Sequence, residues 1–449
     1  MASKLAKFIL KLCSLLLFVA VCYMALFYAY GYKYDEKQKD VKKTSIIDLI
    51  GDIKEARVML NDKIVSNFLP YQIKGLDLGK YIVSVNKTGF QPWKREVAVE
   101  ADYVTIVNDI LLIPEKISDY VKLLKVFNKG DVLQYGKDLI FAYPKDGLVI
   151  HLVNLYGDGT VRDEDLELAQ GEISKVDNLG SDRFLVDFND GQTSYFDFPE
   201  RSFVTFNKPE RSYGYRLSPD SKMLYFFIGE DLYRAPMAEL LLEGKMQIEK
   251  YFLHKSVQAV SFGFNGDIYF ISGGVAYRTD SAFGKLEPLM LSLKRYKNLD
   301  CRNGRDYAIL TMRDDDGGRS LYVIDKKGRS SLMTDELKGL PYLNEYDQLV
   351  FVEKGQTSTA GHIFYYDPIL KIKSLVRDFS GELELFGWFS NEGHFVFKEA
   401  GTVYLSDVFN ANSYVLLKDG NLERIFVFSH KLFYVKEGKL YGLNWKDSF

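Results

Sequence analysis

The sequence predicts a mainly β protein in three parts: an N-terminal transmembrane helix, a small β-domain and a C-terminal β-propeller. Three observations predict it. An uncharged apolar run lies near the N-terminus, a stretch of period-two alternation follows, and beyond residue 120 a turn-and-aromatic-strand pattern recurs. The recurrence has a period of about 42 residues, the spacing of propeller blades.

With 449 residues the chain exceeds one ordinary core, so two or more folding units are expected. The aromatics are almost all Phe (32) and Tyr (31), whose flat rings pack well on pleated strands. With 11 Pro and no low-complexity tract, long disordered regions are not expected. Beyond the head lysines Lys4, Lys7 and Lys11 the chain is mildly acidic, and no basic field points to nucleic acid. Cys13 and Cys22 lie in the apolar run and Cys301 stands alone, so the soluble part has no intrachain disulfide framework.

Residues 1–31 read as a cytoplasmic head and signal anchor. Leu12 to Tyr30 carry no charge, and their helical length of about 28 Å approaches the hydrocarbon core of a bilayer. Tyr23, Tyr28, Tyr30, Tyr32 and Tyr34 crowd the far end, where amphipathic rings prefer the membrane boundary. A buried soluble helix would show a polar face. A cleaved signal would need small residues at its cleavage site, but Phe27 precedes Ala29 by two. Leu12 before Cys13 and Val21 before Cys22 are too bulky for lipoprotein processing. Lys33, Lys37, Lys39, Lys42 and Lys43 follow the span, so charge counting does not orient it. The short head and the ready translocation of long domains favour a single pass with the later domains extracytoplasmic. Residues 32–52 read as a charged, solvated stalk.

From Ala56 the pattern turns to strands. Asn61-Asp62-Lys63 is a turn signal, Pro70 stands at the start of a strand, and Gly79-Lys80 reads as a second turn. Tyr81, Val83 and Val85 alternate onto one face; Gly89 begins the turn before Phe90 and Trp93. Val97, Val99, Val104, Ile106 and Leu111 supply two more strands, and Pro114 ends the unit. Residues 53–115 resemble the PEGA domain through Ala56, this turn, Pro70, Gly79/Tyr81, Gly89-Phe90 and Leu111 to Pro114. Of the name-giving motif, Ile53-Lys54-Glu55-Ala56 keeps only its alanine. The resemblance implies a small β-sandwich of prokaryotic surface and envelope proteins, generally without catalysis.

Residues 120–449 carry the repeat, with copies starting at 139, 184, 223, 267, 307, 348, 394 and 432. In Ser218-Pro219-Asp220-Ser221 the proline fixes φ and the aspartate can bond the backbone beyond it. Asn265-Gly266 supplies positive φ for a hairpin. The run at 217–226 resembles the repeat of TolB-like and WD40-like propellers. From Leu422 there is room for three strands only, and residues 120–127 can complete that blade as its outer strand, hiding the edges. Eight copies give eight blades; reading 139–210 as one distorted blade plus a linker gives seven.

The search for chemistry finds little. His151, His254, His362, His394 and His430 form no HxH or HxxxH pair, so no metal site is expected. There is no G-x-S-x-G elbow, P-loop or dinucleotide fingerprint. Cys301 has no activating neighbour and reads as an inert thiol. Asp158-Gly159-Thr160 with Asp163, Glu164 and Asp165 departs from an EF-hand loop. Asp314-Asp315-Asp316-Gly317-Gly318 reads as a wide hairpin turn.

The expectation is a non-enzymatic binding or scaffold protein of the prokaryotic cell envelope, without cofactor, metal or assignable ligand residues. It would meet the membrane through one helix and an envelope protein through propeller loops. The alternative is a carbohydrate- or peptidoglycan-binding surface protein, with Trp388 or Trp445 stacking on sugar; Trp93 reads as a core ring. A propeller lyase or glycosidase would need carboxylates or metal gathered at the ring axis.

Overall fold

The structure, a computed structural model, describes residues 2–443 apart from 30–31, 36–38, 52, 54, 102, 109, 128–131, 136–138, 144–148, 156–160, 168–171, 181, 243–251, 264–265, 281–282, 290–293, 358, 391–392, 410–412, 419 and 429–430. The described chain falls into two compact units, one ending at Tyr120 and the other beginning at Val121.

The first unit opens with a helix, Ala2–Ala29. Its side chains are described over residues 11–27, a length of roughly 25 Å. Among the described residues no helix is long and apolar enough to cross a membrane. The consecutive side chains Leu15, Leu16, Leu17, Phe18 and Val19 are 55% to 67% exposed, so the helix shows apolar surface on every side.

The β-domain of this unit pairs two sheets. One runs Val104–Val107, Ser45–Leu49, Tyr71–Leu76; the other runs Lys63–Ser66, Arg57–Leu60, Gly79–Asn86, Trp93–Val99. Ile47, Leu49, Ile73 and Val107 on the first are buried, as are Val58, Val83, Val85, Trp93, Val97 and Val99 on the second. Asn61 and Asp62 adopt φ of 45° and 64°, the mirror-turn geometry that suits a tight hairpin.

Three expectations need correction. The supposed stalk is largely strand: Tyr32–Asp35 pairs with Asp40–Lys43, and Ser45–Leu49 is the middle strand of the three-stranded sheet. Ser45, Ile47 and Leu49 point inward at every second position, a signal that the preceding lysine-rich run obscured. Gly79 and Lys80 open a strand rather than forming a turn. Leu111 is buried but lies outside any strand.

The second unit is a β-propeller of eight four-stranded antiparallel sheets. Blade 1 spans residues 132–167, blade 2 173–205, blade 3 212–254, blade 4 257–288, blade 5 296–334, blade 6 337–379 and blade 7 383–418. Blade 8 combines Leu422–Phe428, Lys431–Lys436 and Lys439–Leu443 with Val121–Val126, which pairs with Lys439–Leu443 as the outermost strand. Residues 139–210 thus hold blades 1 and 2, not one distorted blade. Second strands begin at Leu139, Arg183, Met223, Ile268, Tyr307, Leu349, His394 and Lys431, each within one residue of a repeat start.

The core lies between blades. Leu179, Leu185 and Tyr195 of blade 2 pack with Tyr215, Leu224 and Phe226 of blade 3. Ile309, Leu321 and Val323 of blade 5 meet Leu349 and Phe351 of blade 6. Second strands are therefore covered on both faces and read as continuous apolar runs rather than alternating ones.

One contact repeats. Among the described residues, in six blades an aromatic on the second strand stacks on its register partner on the third: Phe184 on Phe196, Phe226 on Tyr233, Phe270 on Tyr277, Phe351 on Phe364, Phe397 on Tyr404, Tyr434 on Tyr441. Ring centroids are 5.1 to 6.3 Å apart and the planes within 26° of parallel.

Two outcomes are expected. Phe397→Ala removes a fully buried ring and should cost about 3–5 kcal/mol in urea unfolding, whereas Tyr404→Phe keeps the stack and should change little. Burial pushes the Tyr215 hydroxyl up to about 12 and raises those of Tyr195, Tyr269 and Tyr365. Their neutral forms contribute stability that is intact below the free phenol value of about 10. That contribution is lost as pH rises from 10 towards 12. The melting temperature should fall across that window; a flat profile would contradict it.

Candidate functional site

The first strand of each blade is innermost, because first strands of successive blades touch: Ile173–Gly180 with Ser212–Leu217, Val257–Phe262 with Tyr296–Asn303, Leu337–Leu343 with Leu383–Ser390, and the last with Leu422–Phe428. Four polar side chains on first strands, Arg302, Tyr342, Glu384 and Arg424, come one each from blades 5, 6, 7 and 8 and sit about 40 residues apart in the chain, the blade period.

Tyr342 is the centre of this group. The Trp388 indole N–H donates to its carbonyl oxygen at 3.0 Å, tying blade 7 to blade 6. Its ring lies against Gly387, whose φ of 129° and whose missing Cβ, which would stand 3.1 Å from the ring, both call for glycine. The Arg302 guanidinium carbon is 6.0 Å from the ring centroid, and its Nε donates to Asp300 at 3.2 Å. Burial raises the Tyr342 hydroxyl pKa, Arg302 and Arg424 oppose that rise, and Glu384 adds to it. All three charges therefore act at one hydroxyl. Two guanidinium groups, a carboxylate and a phenol offer donors and acceptors of both signs, as a polar, peptide-like ligand requires. Beside them a cleft of about 120 Å³ between blades 5 and 6 is bounded by Asn298, Asp300, Arg319 and Leu340.

Cys301 adjoins Arg302 in sequence, but its side chain points the other way. Its N–H donates to Ser261 Oγ at 2.9 Å, and burial pushes the thiol pKa up, against a reactive thiolate. The structure does not gather the other singled-out residues. His394 is buried on a second strand of blade 7. His254 Nδ1 lies 2.8 Å from the Lys255 carbonyl oxygen, and His362 pairs with Asp378 across two outer strands of blade 6. Among the described residues no group of His, Cys, Asp and Glu could hold a metal. Asp314 ends the second strand of blade 5 and caps the turn after it: its carboxylate accepts the Gly318 N–H at 2.6 Å and lies 3.6 Å from Lys294. Asp315 pairs with Lys297. Trp93 is 2% exposed and offers no face to sugar; Trp388 is half-buried and packs edge-on with Tyr365 and Phe395. Asp158, Gly159, Thr160, Asn265, His430 and Trp445 lie outside the described residues, as do the side chains of His151, Asp163, Glu164 and Asp165.

At one end of the ring the turns are tied together. Asp347 of blade 6, 1% exposed, accepts the N–H groups of Arg305 and Asp306 of blade 5 at 2.7 and 2.8 Å. Third-to-fourth-strand turns reuse one device: Asp325 accepts the N–H of Lys327 and Arg329, Asp367 that of Ile369 and Leu370, and Asp407 that of Phe409. The Ser218–Ser221 turn behaves as its residues predict, Asp220 accepting from Ser218 Oγ and the Lys222 N–H.

The chain matches no protein family and no curated protein. Solved structures similar to it include PorZ, a surface component of the type-IX secretion system of Porphyromonas gingivalis, at 12% identity and a TM-score of 0.36, covering 71% of this chain and 43% of that one. Virginiamycin B lyase from Staphylococcus aureus has 12% identity and a TM-score of 0.34, covering 65% and 96%. AztD from Citrobacter koseri has 9% identity and a TM-score of 0.40, covering 74% and 90%. The chain spans less than half the length of PorZ. These likenesses carry no argument about activity, and the propeller rests on its own strand pairing.

Asp347→Ala leaves two backbone N–H groups without their carboxylate and should cost about 3 kcal/mol in urea unfolding. Asp316→Ala, in the exposed turn, serves as the control and should lie within about 0.5 kcal/mol of wild type.

Proposed function

We propose that the chain is a single-pass, membrane-anchored binding protein of the prokaryotic cell envelope, its β-domains extracytoplasmic and its propeller engaging a protein partner without catalysis. The observation that carries the reading is the helix Ala2–Ala29, whose described middle exposes large apolar side chains on every side and so demands an apolar environment. The PEGA-like pattern of the sandwich agrees with an envelope location. The group around Tyr342 supports binding rather than reaction, since Cys301 is held as a thiol and Arg302, Tyr342, Glu384 and Arg424 present hydrogen-bonding groups without a paired nucleophile and base.

The test is protease treatment of intact cells, followed by immunoblotting for the propeller. Degradation while cytoplasmic markers survive is the expected result; protection in both cells and spheroplasts would place the propeller inside and end the reading. Cross-linking of the full chain in membranes should yield a protein adduct, reduced at least tenfold in Arg302→Ala/Arg424→Ala with an unchanged melting temperature.

A further inference from the structure

Arg313, near the end of the second strand of blade 5, stands directly opposite Arg319, at the start of the third. Asn298, on the first strand, is the register partner of Arg313. Directly opposed residues of an antiparallel sheet point to the same face, so the three side chains form one row across three strands. Like charges in opposed positions destabilise a strand pair. The fold does not ask for them here: the last pair of the same hairpin is Ile228 with Asp231 in blade 3 and Glu399 with Thr402 in blade 7.

Neither guanidinium has a carboxylate within ion-pair distance among the described residues. The carboxylates nearby are engaged elsewhere: Asp314 with Lys294 at 3.6 Å, Asp315 with Lys297 at 3.5 Å and Asp300 with Arg302 at 3.2 Å. Asp316, on the exposed hairpin turn, pairs with neither arginine. Arg319 Nη1 donates to the Gly339 carbonyl oxygen of blade 6 at 3.2 Å, which leaves its other donors open. The Arg313 guanidinium meets no acceptor among the described residues.

This row is one wall of the cleft between blades 5 and 6. The facing wall is Gly339 and Leu340, where the first strand of blade 6 bulges. There Lys338 pairs with Val352 and Tyr342 with Val350, so the three residues between oppose Phe351 alone. Gly339 takes φ of 72°, and Leu340 is 45% exposed. At about 120 Å³ the cleft has room for one small head group, far below the roughly 300–1,000 Å³ of sites for drug-sized ligands. Two guanidinium forks on one face suit a planar oxyanion bound through paired N–H groups. Asp300 lines the same cleft, and its charge favours a singly charged carboxylate over a dianionic phosphate.

We propose that this cleft binds a carboxylate group, held between Arg313 and Arg319, with the Asn298 amide as a further donor and Leu340 against the adjoining carbon chain. The proposal stands apart from the partner reading, since a free carboxylate and an acidic side chain of a protein share the chemistry that the cleft recognises.

The test is calorimetric titration of the full chain in detergent micelles at constant ionic strength. The probes are succinate, inorganic phosphate, the blocked peptide acetyl-Gly-Glu-Gly-amide and its Gln counterpart. The expected result is saturable binding of succinate or the Glu peptide, with the Gln peptide weaker by about tenfold or more. Arg313→Gln and Arg319→Gln should each weaken that binding by about tenfold or more. Their ligand-free melting temperatures should hold or rise, because the like-charge contact is gone. A Glu peptide that binds at least as tightly as succinate assigns the site to an acidic side chain of a protein; tighter succinate assigns it to a free carboxylate. Phosphate binding more tightly than both, or binding that survives both variants, would overturn the proposal. So would a lower melting temperature in both variants, which would make the arginines a brace between the blades.

Discussion

Most blades of the propeller depend on one repeated constraint: an aromatic ring on the second strand lies flat on its register partner on the third. Phe270 on Tyr277 and Phe397 on Tyr404 show the consequence. Because side chains alternate, a slip of one residue would move the upper ring to the opposite face and break the stack. The pair therefore fixes register at the centre of the blade, and the tight turn joining the two strands follows from it. Gly273-Gly274 and Ala400-Gly401, all at positive φ, are such turns.

From that fixed centre the rest follows outward and inward. Cations cover some of the stacks from the outer strand: Lys373 lies 4.2 Å from the Phe364 centroid, and Arg377 reaches both Phe397 and Tyr404 while pairing with Glu399. Arg377 belongs to blade 6 and its partners to blade 7, so the same side chain closes one blade and fastens the next. Inward, the first strands of successive blades meet one another.

Much of this was legible in the sequence. The repeat starts mark second strands because those strands are buried on both faces and so give compact aromatic runs, as in Leu224 to Phe227. Completion of the last blade by residues near 120 followed from counting strands. What was not legible was short or masked by charge. Ser45–Leu49 hid behind lysines, and the two-residue strand Glu287–Pro288 offers no period to detect. The group around Tyr342 was missed for another reason. Arg302, Tyr342, Glu384 and Arg424 are different residue types, and only their spacing, aligned to the blades, brings them together. For Trp388, an isolated Trp in the sequence shows a ring but not the Tyr342 carbonyl that its indole N–H binds.

The pairing of Val121–Val126 with Lys439–Leu443 has a consequence for assembly. The first strand of the propeller must wait for a partner more than three hundred residues downstream, the most non-local contact in the unit. Until that partner arrives the ring is an open arc with two unpaired edges, exposed to pairing with other chains. Blades 1 to 7 are each built from consecutive strands, whereas the closing blade joins the first and last strands of the propeller. It acts as a clasp. A premature stop before Lys439 removes the strand that Val121–Val126 pairs with and leaves the arc unlocked.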